Sequence, residues 1–155
     1  SITLQHKIID AFGQGVVNNN KLCIKNLAEI AFSSKLEQNI LNGLMWPEIF
    51  ILVDNAMQEA QSNNETLFVL DAAMIFEANF DSKVDATLLI STKNNIRINR
   101  ALKRKNLHLE QIQNRMSLQM SERQKISKSN HVMNNNGGID SFKMKLEKFY
   151  QSLSI

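Results

Sequence analysis

Apolar residues at Leu4, Ile8, Ile9 and Phe12 recur at helical spacing and stop at Gly13, so the pattern predicts a short opening helix. After a turn in the asparagine run at 18–20, Leu27, Ile30 and Ala31 resume the same period. Ser34 and Glu37 have capping-box spacing ahead of Leu36, Ile40, Leu41 and Leu44, which predicts another helix start. Pro47, the only proline, is expected at the first position of a further helix, where its missing N–H does no harm. Phe50, Val53, Met57 and Ala60 would form the buried face of that helix. The first 62 residues thus read as almost wholly helical.

The pattern then changes. Thr66 to Leu70 and Asp85 to Ser91 are brief apolar runs without polar alternation, as expected for strands covered on both faces. "AAMIFEANF" between them has room for a helical turn and a loop. Thr92 is placed to cap a helix running through Arg104, a second helix covers about Leu109 to Leu118, and Ser121 with Gln124 opens a third. His131 to Asn134 is the next strand candidate, followed by an asparagine and glycine loop and a last helix from Ser141. Phe142, Leu146, Phe149 and Leu153 lie on the apolar side of that helix. Strands alternating with helices predict an α/β fold with a parallel sheet. The expected layout is a single, partial domain: a helical region over 1–62, a sheet core over 63–138 with helices over about 93–128, and a C-terminal helix over 139–155. Open α/β sheets bind ligands beyond the carboxyl ends of their strands, which here are Asp71, Ser91 to Thr92, and Asn134 to Gly138.

At 155 residues, 43% hydrophobic and 21% charged, the chain has the composition of one soluble globular domain. No apolar run approaches the roughly 20 residues needed to cross a bilayer, and the N-terminus lacks a signal-peptide layout, so a cytoplasmic protein without membrane partners is expected. The single cysteine, Cys23, excludes an internal disulfide framework and reads as a small core residue. His6, His108 and His131 have no partner spacing for a metal or a triad, and no metal-ligating set is expected.

Charge alters this picture in one segment. Lys93 to Lys128 holds ten Lys/Arg against Glu110 and Glu122, a net +8; the remaining eight basic and thirteen acidic residues give −5. Either a helix surface is simply solvated there, or a local anion such as a nucleotide or nucleic-acid phosphate is bound. The segment has no Phe, Trp or Tyr on which bases would stack, which makes nucleic acid the weaker partner. Arg97, Arg100 and Arg104, at i, i+3 and i+7, share one helix face and are flanked by Lys103 and Lys105; Arg115 and Gln119 stand at i and i+4.

"FVLDAAMIFEANFDSKVDATLLIS", "RALKR" and "NRMSLQMSERQKISKSNHVMNNNGG" together resemble the dephospho-coenzyme A kinase family of P-loop kinases. They are similar to its strand, Pro-Leu-Leu-Phe-Glu and strand segment, its arginine-rich lid, its Arg-x-x-x-Gln helix and its Ile-Asp-Asn-x-Gly loop. "FGQGVV" and "LNGLMWP" resemble, more loosely, its acceptor-binding helices. The resemblance implies a P-loop-kinase-like sheet with helices on both faces. It also implies ATP- and Mg2+-dependent phosphorylation of the ribose 3′-hydroxyl of dephospho-coenzyme A. By the same resemblance Arg100 and Arg104 are lid groups facing phosphoryl charge, and Asp71 orients the acceptor or a magnesium-bound water. Arg115, Gln119, Asn135 and Gly137 would bind ATP, with Asn135 bonding the base and Gly137 admitting the backbone to it. Glu77 matches the family's Phe-Glu.

Departures accompany the likeness. Nothing in these residues reads Gly-x-x-x-x-Gly-Lys-Ser/Thr, the phosphate-binding loop that the family carries at its N-terminus. Ile24, Trp46, Ala73 and Asn130 stand where the family has arginine, histidine, proline and aspartate, and Asn134 where it often has aspartate. The expectation is therefore a chain that needs its central strand from an N-terminal segment or a second chain and does not turn over alone. Alternatives are a non-catalytic nucleotide- or coenzyme A-binding relative and a nucleic-acid binder.

Overall fold

The computed structural model describes residues 1–104 and 107–153, in two compact units, Ser1–Phe68 and Val69–Ile155. In the first unit, α1 (Ile2–Phe12) begins where Ser1 Oγ accepts from Leu4 N–H, and ends at Gly13 with φ 74°. That left-handed backbone is cheap for glycine and explains the stop. The asparagine run is a hairpin: β1 (Val17–Asn18) pairs antiparallel with β2 (Lys21–Leu22), and Asn19 and Asn20 both take positive φ, as a tight two-residue turn requires. The sequence reading expected only a turn there. α2 (Ile24–Ala31) follows, and Ile8, Val16, Leu27 and Ala31 close a core packed by Leu4, Phe12, Leu22, Leu41 and Leu44. Cys23 is a half-buried, free thiol at the head of α2 rather than a core residue.

α3 (Lys35–Ser62) corrects the expectation at Pro47. Ser34 caps it by accepting from Glu37 N–H at 3.2 Å, as its spacing predicts, but the helix runs straight through Pro47 for 28 residues. The proline removes the hydrogen bond to the Gly43 carbonyl and crowds it, a cost of about 3 kcal/mol. Packing on both sides offsets this: Leu41, Leu44 and Met45 reach the core before the proline, and Val53 is buried after it.

The second unit is α/β with a small parallel sheet. β3 (Leu88–Ser91) pairs in parallel with β4 (His131–Asn134), Leu88 opposite His131 and Ser91 opposite Asn134. Between them lie α4 (Asn94–Lys103), α5 (Leu109–Ser117) and α6 (Glu122–Lys128), and α7 (Ile139–Ser152) follows β4. The capping box at Ser121 and Gln124 is made reciprocally. α7 starts two residues before Ser141, and α4 is headed by Lys93 rather than Thr92, whose hydroxyl is engaged elsewhere.

Two strand expectations are corrected. Thr66 to Leu70 forms no strand, and Leu67, Phe68 and Val69 are 41%, 37% and 72% exposed. Apolar, β-branched composition favours a strand only when a neighbour completes the ladder, and no described residue pairs with this segment. The β3–β4 pair is also not covered on both faces, since Ile90 and Val132 are 40% and 43% exposed.

Asn130 fixes the start of the parallel pair. Its Oδ1 accepts from Thr87 N–H at 2.9 Å and from Thr87 Oγ1 at 3.0 Å, and Thr87 Oγ1 in turn accepts from Asn130 N–H. An amide oxygen supplies the same acceptor as an aspartate carboxylate would, without a charge beside the buried threonine. Asn130→Ala strands the Thr87 N–H, and chemical denaturation should show a loss of about 1–3 kcal/mol; Asn130→Asp should retain most of it.

Candidate nucleotide site

Where β3 and β4 end, the loop at 135–138 is fastened by main chain and side chains together. Asn135 N–H donates to the Ser91 carbonyl at 2.8 Å, extending the ladder by one residue. The Thr92 hydroxyl donates to the Asn135 carbonyl at 3.2 Å, and Lys93 N–H donates to Asn136 Oδ1 at 2.9 Å. From α4, Arg100 donates Nη1 to the Asn135 carbonyl at 2.9 Å and Nη2 to the Gly137 carbonyl at 2.8 Å. A planar fork suits two carbonyls two residues apart, and each bond is charge-assisted.

The three arginines in and just after α4 therefore have different surroundings. Arg97 Nη1 lies 2.7 Å from Glu122 Oε2, and Ser91 Oγ donates to Glu122 Oε1 at 2.5 Å, joining α4, α6 and the end of β3. Arg100 holds the loop. Arg104, just beyond the end of α4, is exposed and has no side-chain partner among the described residues. Lys105, expected to flank this face, lies outside the described residues.

Of the residues expected to form a site, the structure brings Arg100, Asn135 and Gly137 into one cluster. The Asn135 side-chain amide makes no hydrogen bond within the described residues. At Gly137 an added Cβ would meet Ser141 only at 3.8 Å, an ordinary contact, so nothing inside the protein demands a glycine there. Arg115 lies in the last turn of α5 and Gln119, half-buried, just after it. Asp71 is exposed.

Glu77 and Lys125 form a buried pair at 3.2 Å; Glu77 Oε1 also accepts from Met120 N–H at 2.8 Å. Lys125 donates to the carbonyl of Ala73 at 2.8 Å, a contact the main chain supplies whichever side chain replaces the family's proline. Sequence reasoning missed the roles of Glu122, Lys125 and Asn136, because each acts on a residue at least 25 positions away.

No group of three or more His, Cys, Asp or Glu suited to a metal occurs among the described residues. No helix among them is long and apolar enough to cross a membrane.

Two solved structures share this architecture. A Thermus thermophilus crystal structure superposes with a TM-score of 0.76 at 23% identity, over 99% of this chain and 78% of that one. A Campylobacter jejuni dephospho-CoA kinase gives 0.63 at 24% identity, over 99% and 76%. The fold is that of these two solved proteins. Among curated relatives, dephospho-CoA kinases from Pseudoalteromonas translucida and Fusobacterium nucleatum are 31% and 24% identical, over 96% and 97% of this chain and 71% and 77% of their own lengths. The family model for dephospho-CoA kinase matches residues 2–141, and the chain belongs to that family.

Proposed function

We propose that this chain is the lid, base-loop and acceptor-side part of an enzyme that moves the γ-phosphoryl group of ATP to the ribose 3′-hydroxyl of dephospho-CoA. The observation that carries the reading is the loop at 135–138, fastened beyond the carboxyl ends of a parallel strand pair while the Asn135 amide is left without a partner among the described residues. An amide with a free donor and a free acceptor matches the edge of adenine, and Gly137 leaves room for a ligand rather than for a neighbour. Arg104, exposed and without a side-chain partner among the described residues, is assigned as the lid group that meets phosphoryl charge; Arg115 and Gln119 are assigned to the nucleotide and Asp71 to the acceptor, as the family resemblance implies. Magnesium, when bound, would neutralise phosphate charge.

Phosphate binding requires a loop that these 155 residues do not contain. Among the described residues β3 pairs on one edge only, with β4, and Leu67 to Val69 is exposed and in no ladder. A further strand beside the open edge of β3 would satisfy that ladder and lead into the phosphate loop. An assay with ATP, magnesium and dephospho-CoA tests this: residues 1–155 alone should show no turnover, and the chain joined to a phosphate loop and its strand should. Turnover by residues 1–155 alone would refute the requirement.

The base loop has its own test. Asn135→Leu in the chain carrying its phosphate loop should weaken ATP binding about tenfold or more, the effect of losing paired hydrogen bonds to a ligand. Unchanged affinity would make the loop a simple connection.

A further inference from the structure

The spacing of Arg97, Arg100 and Arg104 puts all three on one helix face, and the family resemblance turns Arg100 and Arg104 toward phosphate, yet the guanidinium of Arg100 is occupied. Both of its terminal nitrogens donate to main-chain carbonyls, of Asn135 at 2.9 Å and Gly137 at 2.8 Å. These carbonyls bracket Asn136, whose own side chain is held by Lys93 N–H. The turn that presents Asn135 is thus fixed from α4, with Arg100 supplying two of the bonds. The Asn135 carbonyl is the most heavily used acceptor in the loop, taking the Thr92 hydroxyl as well. Arg100 also stands one helical turn from Arg97, which is anchored to Glu122, so its backbone is held on a part of α4 that is itself tied down.

We infer that Arg100 is a positioning residue for base recognition: it sets the main chain from Asn135 to Gly137 so that the Asn135 amide is held ready for the base, and it does not itself meet the phosphoryl group. This rests on the proposed reading of the loop as the base site. Removing Arg100 then acts on nucleotide affinity and base choice, while removing Arg104 acts on rate. A lysine in place of Arg100 restores the charge but reaches only one of two carbonyls at a time, because an ammonium lacks the planar fork.

The test uses the enzyme with its phosphate loop and compares Arg100→Ala, Arg100→Lys and Asn135→Leu. Steady-state kinetics are read with ATP and with GTP, and hydrogen–deuterium exchange is read on the peptide spanning 134–140 without nucleotide. Arg100→Ala should raise KM for ATP about tenfold, reduce the preference for ATP over GTP, leave kcat within about threefold and speed exchange in the loop peptide. Arg100→Lys should fall between Ala and the parent.

A fall in kcat with unchanged KM, base preference and loop exchange would overturn the inference and return Arg100 to the phosphate. If Asn135→Leu leaves binding and base preference intact while Arg100→Ala still loosens the loop, the base-site reading fails and the mechanical role of Arg100 stands. If Asn135→Leu abolishes base preference and Arg100→Ala does not alter it, the base site stands and the role of Arg100 fails. The exchange measurement decides the positioning claim even for a variant too unstable for kinetics, since Arg100→Lys retains the charge and most of the side-chain volume.

Discussion

Lys125→Ala is expected to lower stability by about 3–5 kcal/mol, the usual cost of removing one partner from a buried ion pair. The side chains of Glu77 and Lys125 are only 9% and 13% exposed, so water cannot replace the lost ammonium. The Glu77 carboxylate would keep the Met120 N–H on Oε1 but carry its charge uncompensated, and its Oε2 is already buried without a partner among the described residues. The Ala73 carbonyl would lose its donor in the same substitution. Glu77→Gln should be milder, because an amide oxygen still accepts from Met120 and Lys125. A double replacement, Glu77→Leu with Lys125→Met, should recover part of the single-variant loss, since both charges leave together. Urea denaturation of the three variants measures this, and a Lys125→Ala loss below about 1 kcal/mol would mean that the pair behaves as a surface bridge. The pair joins the turns at 73–79 to the last turn of α6, so its loss should be felt in the second unit.

Arg104→Ala should have the opposite signature: little change in stability and a fall in kcat of about 10²–10³, the range for removing one preorganised donor from developing transition-state charge. Its guanidinium is exposed and has no partner among the described residues, so folding loses almost nothing. Arg104→Lys should recover part of the rate, because it keeps the charge and loses the fork. Single-turnover measurements with saturating ATP separate this step from nucleotide binding. An unchanged rate would assign the net positive charge of this segment to solubility alone.

The sequence was most informative where structure is decided locally. Gly13 stops α1, Ser34 and Ser121 start helices, and Leu27, Ile30 and Ala31 pack as their spacing requires. It misled where the outcome depends on distant partners. Thr66 to Leu70 has strand composition but no ladder neighbour, and Pro47 lies inside a helix because core contacts on both sides outweigh a local break. The same division runs through the site. Spacing placed three arginines on one face of α4, and the loop fell at the end of a strand as the alternation of elements implied. Which arginine is bound internally could not be read, because Glu122 lies 25 residues from Arg97 and the Gly137 carbonyl 37 from Arg100. Resemblance to the family supplied the identity of the segment; geometry divided its charges.

The pairing of β3 with β4 also bears on how the molecule assembles. Thr87 and Asn130 meet across 43 residues of chain, whereas α1, the asparagine hairpin and α2 are neighbours in sequence. Closing so long a loop costs entropy before any contact repays it, and α4, α5 and α6 shorten the effective span only once they have formed. The first unit can therefore fold largely from local contacts. In the second, the loop at 135–138 acquires its shape only after the longest-range strand pair has closed, so the part of the protein that would meet the nucleotide base is among the last to become specific.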